Sequence, residues 1–495
     1  MLFNSQYFIF VFLPLVLIGW YTLNHFKLYK GALLFLSAMS FWFYGYFNPM
    51  YLFILIGSIL VNYSFSYLIE KFKSKSKLIY IIGLTANILL LGYYKYYDFF
   101  VENINAVFKS SFALKHILLP LGISFFTLQQ ISYLTDRYWE SADHYNFIEY
   151  LAYVTFFPQL IAGPIVLHNE IIPQYRDLEL RKFNSENFKD GVILFILGLA
   201  KKVIIADTFA FLVNYGFDRI YWIDTPAAWF TALGYTFELY FDFSGYCDMA
   251  CGLGLMFNFK LPINFKSPYK SHSIPEYWNR WHYTLTRFFT SYIYTPLTLK
   301  GVRKKKRKLY SIITPIVVYF ISGFWHGASW TFVIWGMSQA IATLWCQRKF
   351  WKIPKKFGWL SWFGTFFYTC ITQAIFRSET MDNMIRILKG MFIPKYTGFM
   401  RELGSAYNGD LLVKGLMSFV SPRVSFDTLY WIYFVIMIVF FIIGAIILVG
   451  KNAHEILAAT KERGLTLGFS IFLSLVFCWC IISMSEVSTF LYFNF

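Results

Sequence analysis

The sequence predicts an all-α, polytopic membrane protein, and its composition and apolar runs carry that prediction. Hydrophobic residues make up 57% and charged residues 14% of the 495 residues, whereas a soluble domain has about 25% charged residues. The apolar residues are gathered into runs, many of them near the roughly 20 residues that a helix needs to cross a bilayer. The 22% of aromatic residues suits interfacial belts and an aromatic-lined interior.

The runs predict about 11–13 transmembrane helices with further interfacial or re-entrant helices. They lie near residues 7–23, 32–47, 50–69, 78–97, 115–135, 147–163, 189–213, 227–250, 309–324, 328–347, 361–376, 429–449 and 465–485. No internal repeat or low-complexity linker separates them, so we expect a single domain over 1–495. The first run follows no charged stretch and precedes no small-residue cleavage site, so we expect it to be retained as a span.

Basic residues cluster between the runs, which is typical of cytoplasmic loops under the positive-inside bias. The clusters lie at Lys27 and Lys30, at 71–77, at the basic hexad 303–308, at 348–356 and at 451–463. Placing all of them inside puts both termini outside, together with the loop 377–428, which we expect to form a cap or docking surface. The same bias accounts for the net charge of +17, and the absence of a basic groove argues against nucleic-acid binding.

This orientation requires an even number of crossings between Asp136 and Arg303, where three candidate runs lie. The pair Lys201-Lys202 would be costly at a bilayer centre, so the segment 189–213 is expected to lie along the interface. Alternatively the segment 147–163 is interrupted at 156–159, because Pro158 breaks the helical ladder. Non-crossing segments at membrane depth are buried in protein or line a cavity, so a cavity is expected.

The segment 274–299 is predicted to form one amphipathic helix, with Ser273 as its cap and Pro275 in its first turn. Rings and one histidine share a face by three-and-four spacing: Trp278, Trp281, His282, Leu285 and Phe289. Periodicity alone leaves two interpretations open. In one the segment is an interfacial helix in which His282 packs, and in the other His282 belongs to a functional site.

His326 stands between two apolar runs and is flanked by Gly323 and Gly327. Small residues four apart allow helix backbones to approach closely. An ionisable residue at membrane depth indicates function, because burying it without a purpose costs free energy. The alternative is a histidine that is hydrogen-bonded across helices.

Acidic residues within the run 227–250 are a further anomaly. Asp242 lies close in sequence to Ser244 and Tyr246, and this favours a buried polar network over direct catalysis. No phosphate loop, nucleophile elbow or HExxH motif is present. The spacing of the six cysteines matches no zinc site, so we expect no metal and favour a histidine-based mechanism.

Five stretches resemble the membrane-bound O-acyltransferase (MBOAT) superfamily, and in particular its bacterial branch of alginate and peptidoglycan O-acetyltransferase membrane subunits, related to the teichoic-acid D-alanyl transfer protein. They are 119–126, 156–165, 241–246, 278–282 and 324–330, and the match extends over nearly the whole chain in order. The resemblance implies an MBOAT fold, with helices around a central funnel or tunnel. The family's two histidines correspond to His282 and His326.

The resemblance implies transfer of an acyl group, most simply acetyl, from a thioester donor such as acetyl-coenzyme A, with no tightly bound cofactor. It further implies the bacterial cytoplasmic (inner) membrane, a cell-surface polysaccharide as acceptor, and an extracytoplasmic acyltransferase or esterase-like partner protein. We expect His326 to act as the general base and His282 with Asn279 to orient the acceptor or stabilise the oxyanion. The expected substrate-binding residues are Asn279, Trp278, Arg280, Trp281, Trp325, Asp242, Ser244, Tyr246 and Gln159.

One departure from the family pattern lies after the first histidine, where Thr290-Ser291 replaces the usual Arg-Asp pair. Four alternatives to acetylation of a polysaccharide remain open. They are D-alanyl transfer to teichoic acid, acylation of a protein or lipid, a transporter, which more often shows inverted repeats, and a scaffold that docks a cell-wall enzyme through 377–428.

Overall fold

The computed structural model describes residues 1–347, 357–484 and 490–491, and within them the regular structure is helical, without a β-strand. The predicted all-α class is therefore confirmed. The basic cluster predicted at 348–356 lies outside the described residues.

The helices follow one another closely along the chain. The first part contains α1 (Leu13–His25), α2 (Tyr29–Gly45), α3 (Met50–Lys71), α4 (Ser76–Phe108), α5 (Ile123–Tyr138), α6 (Phe147–Thr155), α7 (Phe157–Leu160), α8 (His168–Arg176), α9 (Ser185–Ala200), α10 (Asp207–Asp218) and α11 (Thr225–Met256). The second part contains α12 (Ile274–Trp278), α13 (Tyr283–Phe289), α14 (Thr295–Arg303), α15 (Arg307–His326), α16 (Trp330–Gln347), α17 (Gly358–Arg377), α18 (Met381–Phe392), α19 (Phe399–Leu403), α20 (Leu411–Val420), α21 (Phe426–Val449), α22 (Ala453–Arg463) and α23 (Leu467–Ser483). Turns of π-helix precede α1 and join α9 to α10 and α13 to α14.

The described residues include helices with the length and composition to cross a membrane. They are Phe8–His25, Met50–Lys71, Lys73–Phe108, Arg307–His326 and Phe426–Val449, and Leu467–Ser483 is a shorter apolar helix. These helices confirm the multi-pass character of the chain. The total of about 11–13 crossings stays a prediction.

The predicted span near 115–135 is wrong in its first part, because α5 begins only at Ile123 and residues 110–120 have no regular structure. Pro120 disfavours helix in the residue before it. Gly122 adopts a left-handed conformation with φ +70°, and the backbone of Leu160 lies where a side chain would point. A glycine therefore fits this turn better than any other residue.

The predicted interruption at 156–159 is confirmed. Helix α6 ends at Thr155, Phe156 has a non-helical backbone, and α7 is a single turn that contains Pro158. These residues are buried. The broken segment is therefore enclosed by protein, as the energetics of exposed backbone at membrane depth require.

Ion pairs within the protein offset the cost expected for the pair Lys201-Lys202 in the segment 189–213. Lys202 is buried, with its Nζ 2.7 Å from an Asp242 oxygen and 2.8 Å from an Asp207 oxygen. The Nζ of Lys201 lies 2.6 Å from an oxygen of Asp248. Opposite charges at these distances offset the desolvation that made the pair look incompatible with burial.

Glycines allow α9 and the following π turn to approach α11 closely. A methyl group on Gly198 would lie 2.6 Å from the carbonyl oxygen of Gly245, and one on Gly191 would lie 2.6 Å from that of Gly252. Distances below 3 Å are too short for such contacts. The two backbones thus pack with nothing between them, as small residues permit.

The segment 377–428, expected to form a cap or docking surface, contains the helices α18, α19 and α20. Its side of the protein is tied to the core by hydrogen bonds. The Nε1–H of Trp229 donates to the carbonyl of Met391 at 2.8 Å, and the hydroxyl of Tyr215 donates to Glu402 at 2.7 Å.

We predict that Gly198→Ala destabilises the protein by about 1–3 kcal/mol, because the new methyl group overpacks the contact with α11. Gly57→Ala is the matched control, since nothing lies within 4 Å of a methyl group there and alanine is the better helix former. Thermal unfolding of the two purified variants measures the difference. An unchanged or higher melting temperature for Gly198→Ala would contradict the close contact.

Candidate active site

His326 is the last residue of α15, and only 3% of its surface is exposed. Three rings enclose its imidazole. The centroids of Trp325, Trp335 and Phe376 lie 4.9, 5.1 and 5.2 Å from that of His326. The histidine is therefore held in an aromatic enclosure rather than at a membrane surface.

The glycines on either side of His326 have different roles. Gly323 faces Gly336 of α16, whose Cα would lie 3.1 Å from a methyl group on Gly323. This close contact confirms the predicted backbone approach at Gly323. Gly327 follows the helix in an extended conformation, and the ring of Phe332 fills the space that a side chain would take.

The predicted single helix over 274–299 is wrong, because α12 ends at Trp278 and α13 begins at Tyr283. Ser273 does cap α12, accepting the backbone N–H of Glu276 at 3.3 Å. His282 lies in the break with φ +43°, in the left-handed region that side chains other than glycine seldom adopt. It is 1% exposed.

Asn264 fixes the tautomer of the His282 imidazole. Its Oδ1 accepts the backbone N–H of Thr284 at 3.2 Å, which identifies that atom as the oxygen, and lies 3.1 Å from His282 Nδ1. Because an amide oxygen only accepts, Nδ1 carries the hydrogen and Nε2 holds the lone pair of the neutral ring. Burial lowers the pKa of His282 to about 3, which keeps the ring neutral at physiological pH.

The indole of Trp325 links the two histidines, with its centroid 6.3 Å from that of His282 and 4.9 Å from that of His326. Phe125 packs against Trp325 at 5.6 Å and against His282 at 6.4 Å. The buried Nε1 of Trp325 has no hydrogen-bond partner among the described residues. An indole donor beside two imidazoles is suited to binding an oxygen that gains negative charge.

Two cavities flank this enclosure. The first, of about 310 Å³, is called the hexad-side cavity because it lies along α15 between the basic hexad and His326; Trp278, Asn279, Thr290, Tyr319 and Gln347 are in its lining. The second, of about 670 Å³, is called the distal cavity and begins beyond His326; its lining includes Lys95, Lys202, Asp242, Ser329 and Arg377. A pocket of about 20 Å³ beside His326, called the inner pocket, also contains Trp278.

The structure brings three of the expected substrate-binding residues to the histidines. Trp278 lines both the hexad-side cavity and the inner pocket, and its Nε1–H donates to Gln339 at 3.3 Å. Trp281 lines the inner pocket. Trp325 contacts both histidines.

Other expected residues lie further away. Asn279 is exposed at the hexad-side cavity, and Arg280 pairs with Glu276 at 2.9 Å. Gln159 is buried and donates to the carbonyl of Tyr153 at 2.6 Å.

In the acidic stretch, Asp242 lines the distal cavity as the partner of Lys202, and Glu238 lines the same cavity. Ser244 is buried on α11. Tyr246 stacks between aromatic rings, 4.7 Å from Phe3 and 4.7 Å from Phe490.

Two residues near the histidines were not found from the sequence. Lys95 of α4 donates to the carbonyl oxygens of Trp325 and His326 at 2.6 and 3.1 Å. A cation within the run 78–97 is the signal that marks it. Asn264 carries no such signal, because its importance lies in contacts with a distant segment.

Comparison with known proteins places the chain in a family. The model of the membrane-bound O-acyltransferase family matches residues 138–378. The peptidoglycan O-acetyltransferase of Helicobacter pylori is 42% identical over 428 residues, which cover 79% of this chain and 80% of that protein. The chain belongs to the MBOAT family. It is accordingly a membrane O-acyltransferase.

Two further relatives define its neighbourhood. A protein named "Probable alginate O-acetylase AlgI" from Pseudomonas aeruginosa is 36% identical over 402 residues, covering 79% of this chain and 75% of that protein. The teichoic acid D-alanyltransferase of Bacillus subtilis is 27% identical over 252 residues, covering 48% of this chain and 62% of that protein. The O-acetyltransferases are thus more similar to this chain than the D-alanyltransferase is.

We predict that Asn264→Ala lowers the acyl-transfer rate by about 10–100-fold, because His282 loses the acceptor that fixes its hydrogen on Nδ1. Cys247→Ala is the matched control. It removes the group 3.2 Å from Asn264 Nδ2 and leaves the Oδ1 side intact. Equal losses in both variants, with similar folded yields, would contradict the role given to Asn264.

Proposed function

We propose that this MBOAT protein transfers acetyl from acetyl-coenzyme A in the cytoplasm to a hydroxyl group on the outer side of the membrane, and thereby acetylates a cell-surface polysaccharide. The observation that carries the proposal is the pair of cavities that approach the His326 enclosure from two sides. The donor enters by the hexad-side cavity and the acceptor by the distal cavity. The protein lies in the bacterial inner membrane with its N-terminus outside and acts as one domain.

The hexad-side cavity suits the donor. Its lining offers hydroxyl and amide groups, among them Thr286, Thr343 and Gln347, beside the apolar faces of Trp278 and Phe289. These groups match the amides and methylenes of a thioester arm. The exposed basic hexad 303–308 at the start of α15 would attract the phosphates of coenzyme A.

The distal cavity suits a polyhydroxyl acceptor. Carboxylates and cations line it, and the buried Oε2 of Glu238 has no hydrogen-bond partner among the described residues. Such groups donate to and accept from sugar hydroxyls. The names of the peptidoglycan and alginate relatives support a polysaccharide as the final acceptor, reached through an extracytoplasmic acyltransferase or esterase-like partner protein that docks on the cap 377–428.

The reaction needs a base and an oxyanion donor. His326 takes the proton of the attacking hydroxyl, whose oxygen bonds to the thioester carbonyl carbon. The indole N–H of Trp325 stabilises the negative oxygen of the tetrahedral intermediate. The carbon–sulfur bond then breaks, and the leaving thiolate receives the proton from His326. His282, neutral and held in one tautomer, orients the hydroxyl, while Asn279 contacts the donor at the cavity rim.

The central test supplies radiolabelled acetyl-coenzyme A to inside-out membrane vesicles and to right-side-out vesicles. We expect label in the extracytoplasmic acceptor only when the donor reaches the cytoplasmic face. His326→Ala should reduce transfer by about 10²–10⁴-fold, the usual contribution of a general base. His272→Ala is the control, because His272 is exposed and its Nδ1 contacts a backbone carbonyl.

Undiminished transfer by His326→Ala would overturn the assignment of the base. Label delivered only from the outer face would overturn the direction. D-alanyl transfer is distinguished by the same vesicles charged with labelled D-alanine. A transporter or scaffold would retain its function in the doubly substituted His282→Ala, His326→Ala protein.

We predict that Lys304, Lys306 and Lys308, changed together to Gln, raise the KM for acetyl-coenzyme A about fivefold, which corresponds to ~1 kcal/mol of screened attraction. The difference should shrink as ionic strength rises. Lys71, Lys75 and Lys77 changed to Gln form the control, since they are also exposed. A KM that rises equally in both triple variants would contradict local capture of the donor.

A further inference from the structure

Lys95 lies within α4, in one of the apolar helices that can cross the membrane. A lysine at such depth is costly unless polar groups surround its ammonium. The partners of Lys95 are backbone carbonyl oxygens, those of Trp325 at 2.6 Å and His326 at 3.1 Å. The hydroxyl oxygen of Ser124 lies 3.5 Å away. The positive charge of Lys95 therefore lies at the C-terminus of α15, beside the proposed base.

Two side chains of α4 cap the last three carbonyl groups of α15. The last carbonyl groups of a helix have no partner within the helix. The hydroxyl of Tyr96 donates to the carbonyl of Phe324 at 2.7 Å, and Lys95 serves the next two carbonyls. A cation at a helix C-terminus also complements the helix dipole. Tyr96 and Lys95 therefore both cap the C-terminus of α15, and of these two only Lys95 places a positive charge there.

The chain leaves the helix directly after His326. Gly327 has no side chain and an extended backbone, and residues 327–329 lie outside regular helix. The ammonium of Lys95 contacts the carbonyl oxygens of the last two residues of this helix. Their orientation sets the direction of both the imidazole and the indole N–H.

The ammonium of Lys95 also lies where the distal cavity approaches His326. Lys95 lines the distal cavity, and it lines a small pocket that contains Trp325 and His326. A group at this place can fix the position of the base relative to the acceptor. A displacement of about 1 Å at a reacting group can cost 10²-fold in rate.

We propose that Lys95 is a positioning residue for acyl transfer, which fixes the main chain of Trp325 and His326 so that the base faces the attacking hydroxyl and the oxyanion donor faces the thioester carbonyl. The proposal rests on the proposed function in that His326 is the base. It adds a residue on α4, far in sequence from the histidine motifs, to the machinery of the reaction.

The kinetic test compares Lys95→Met, Lys95→Arg and Tyr96→Phe in the full-length protein, with labelled acetyl-coenzyme A as donor. We expect Lys95→Met to lower kcat about 10²-fold with the donor KM unchanged. Lys95→Arg should recover at least about tenfold of that loss, because it restores a cation that donates to carbonyls. Tyr96→Phe, which removes the neutral cap alone, should stay within about threefold of the parent protein.

Three results would overturn the proposal. They are a Lys95→Met protein within about threefold of the parent, a loss carried only by the donor KM, and an Arg variant no better than the Met variant. If Lys95→Met is not recovered as a monodisperse protein, Lys95→Gln provides the same neutral comparison, with the same expected loss.

A second measurement separates the proposal from the proposed function. The rate at which diethylpyrocarbonate modifies His326, relative to His282 in the same molecule, is read by peptide mass spectrometry. We expect this ratio to rise at least about fivefold in Lys95→Met and to stay unchanged in Tyr96→Phe, because only the former frees the peptide of His326. A parent protein that moves no acetyl group would defeat the proposed function, while an unchanged ratio would defeat the role of Lys95.

Discussion

The close contact between α9 and α11 is the constraint on which the distal side of the molecule depends. Gly198 and Gly245 allow the two backbones to meet. The π turn that follows α9 then places Lys201 beside Asp248 and Lys202 beside Asp242. A buried charge that loses its partner costs about 3–5 kcal/mol. The glycine contact brings the ion-paired residues together, and Lys202 and Asp242 line the distal cavity.

Local rules were enough for a large part of this fold. Apolar runs located the long helices, Pro158 located the interruption after α6, and Ser273 located the start of α12. Gly323 marked the approach of α15 to α16. Each of these features depends on a residue's own backbone preference or on neighbours a few positions away, so the sequence contains the information directly.

Other features of the fold and of the candidate site depend on contacts between segments that are far apart in the sequence. The pattern over 274–299 continues the three-and-four spacing through His282, yet the helix breaks there because Asn264 binds both His282 and Thr284. The left-handed backbone of His282 is compensated by contacts that periodicity does not include. The ion pairs of Lys201 and Lys202 also lie beyond any local pattern, since Asp248 and Asp242 are on a different helix. Lys95 is a cation within an apolar run, and its contacts with the end of α15 lie far along the chain.

The two cavities differ in charge, and this difference fits the direction proposed for transfer. The side chains that line the hexad-side cavity are uncharged, and Thr290 is among them at the place where the family usually has an arginine. An uncharged wall suits the thioester arm of the donor, which would extend towards His326 while the phosphates of coenzyme A stay with the basic hexad. The distal cavity has carboxylates and cations suited to hydroxyl groups. The inner pocket between them, about 20 Å³, holds little more than a water molecule. On this proposal only the acetyl group and the attacking oxygen come together at His326, and the bulk of donor and acceptor remains on opposite sides.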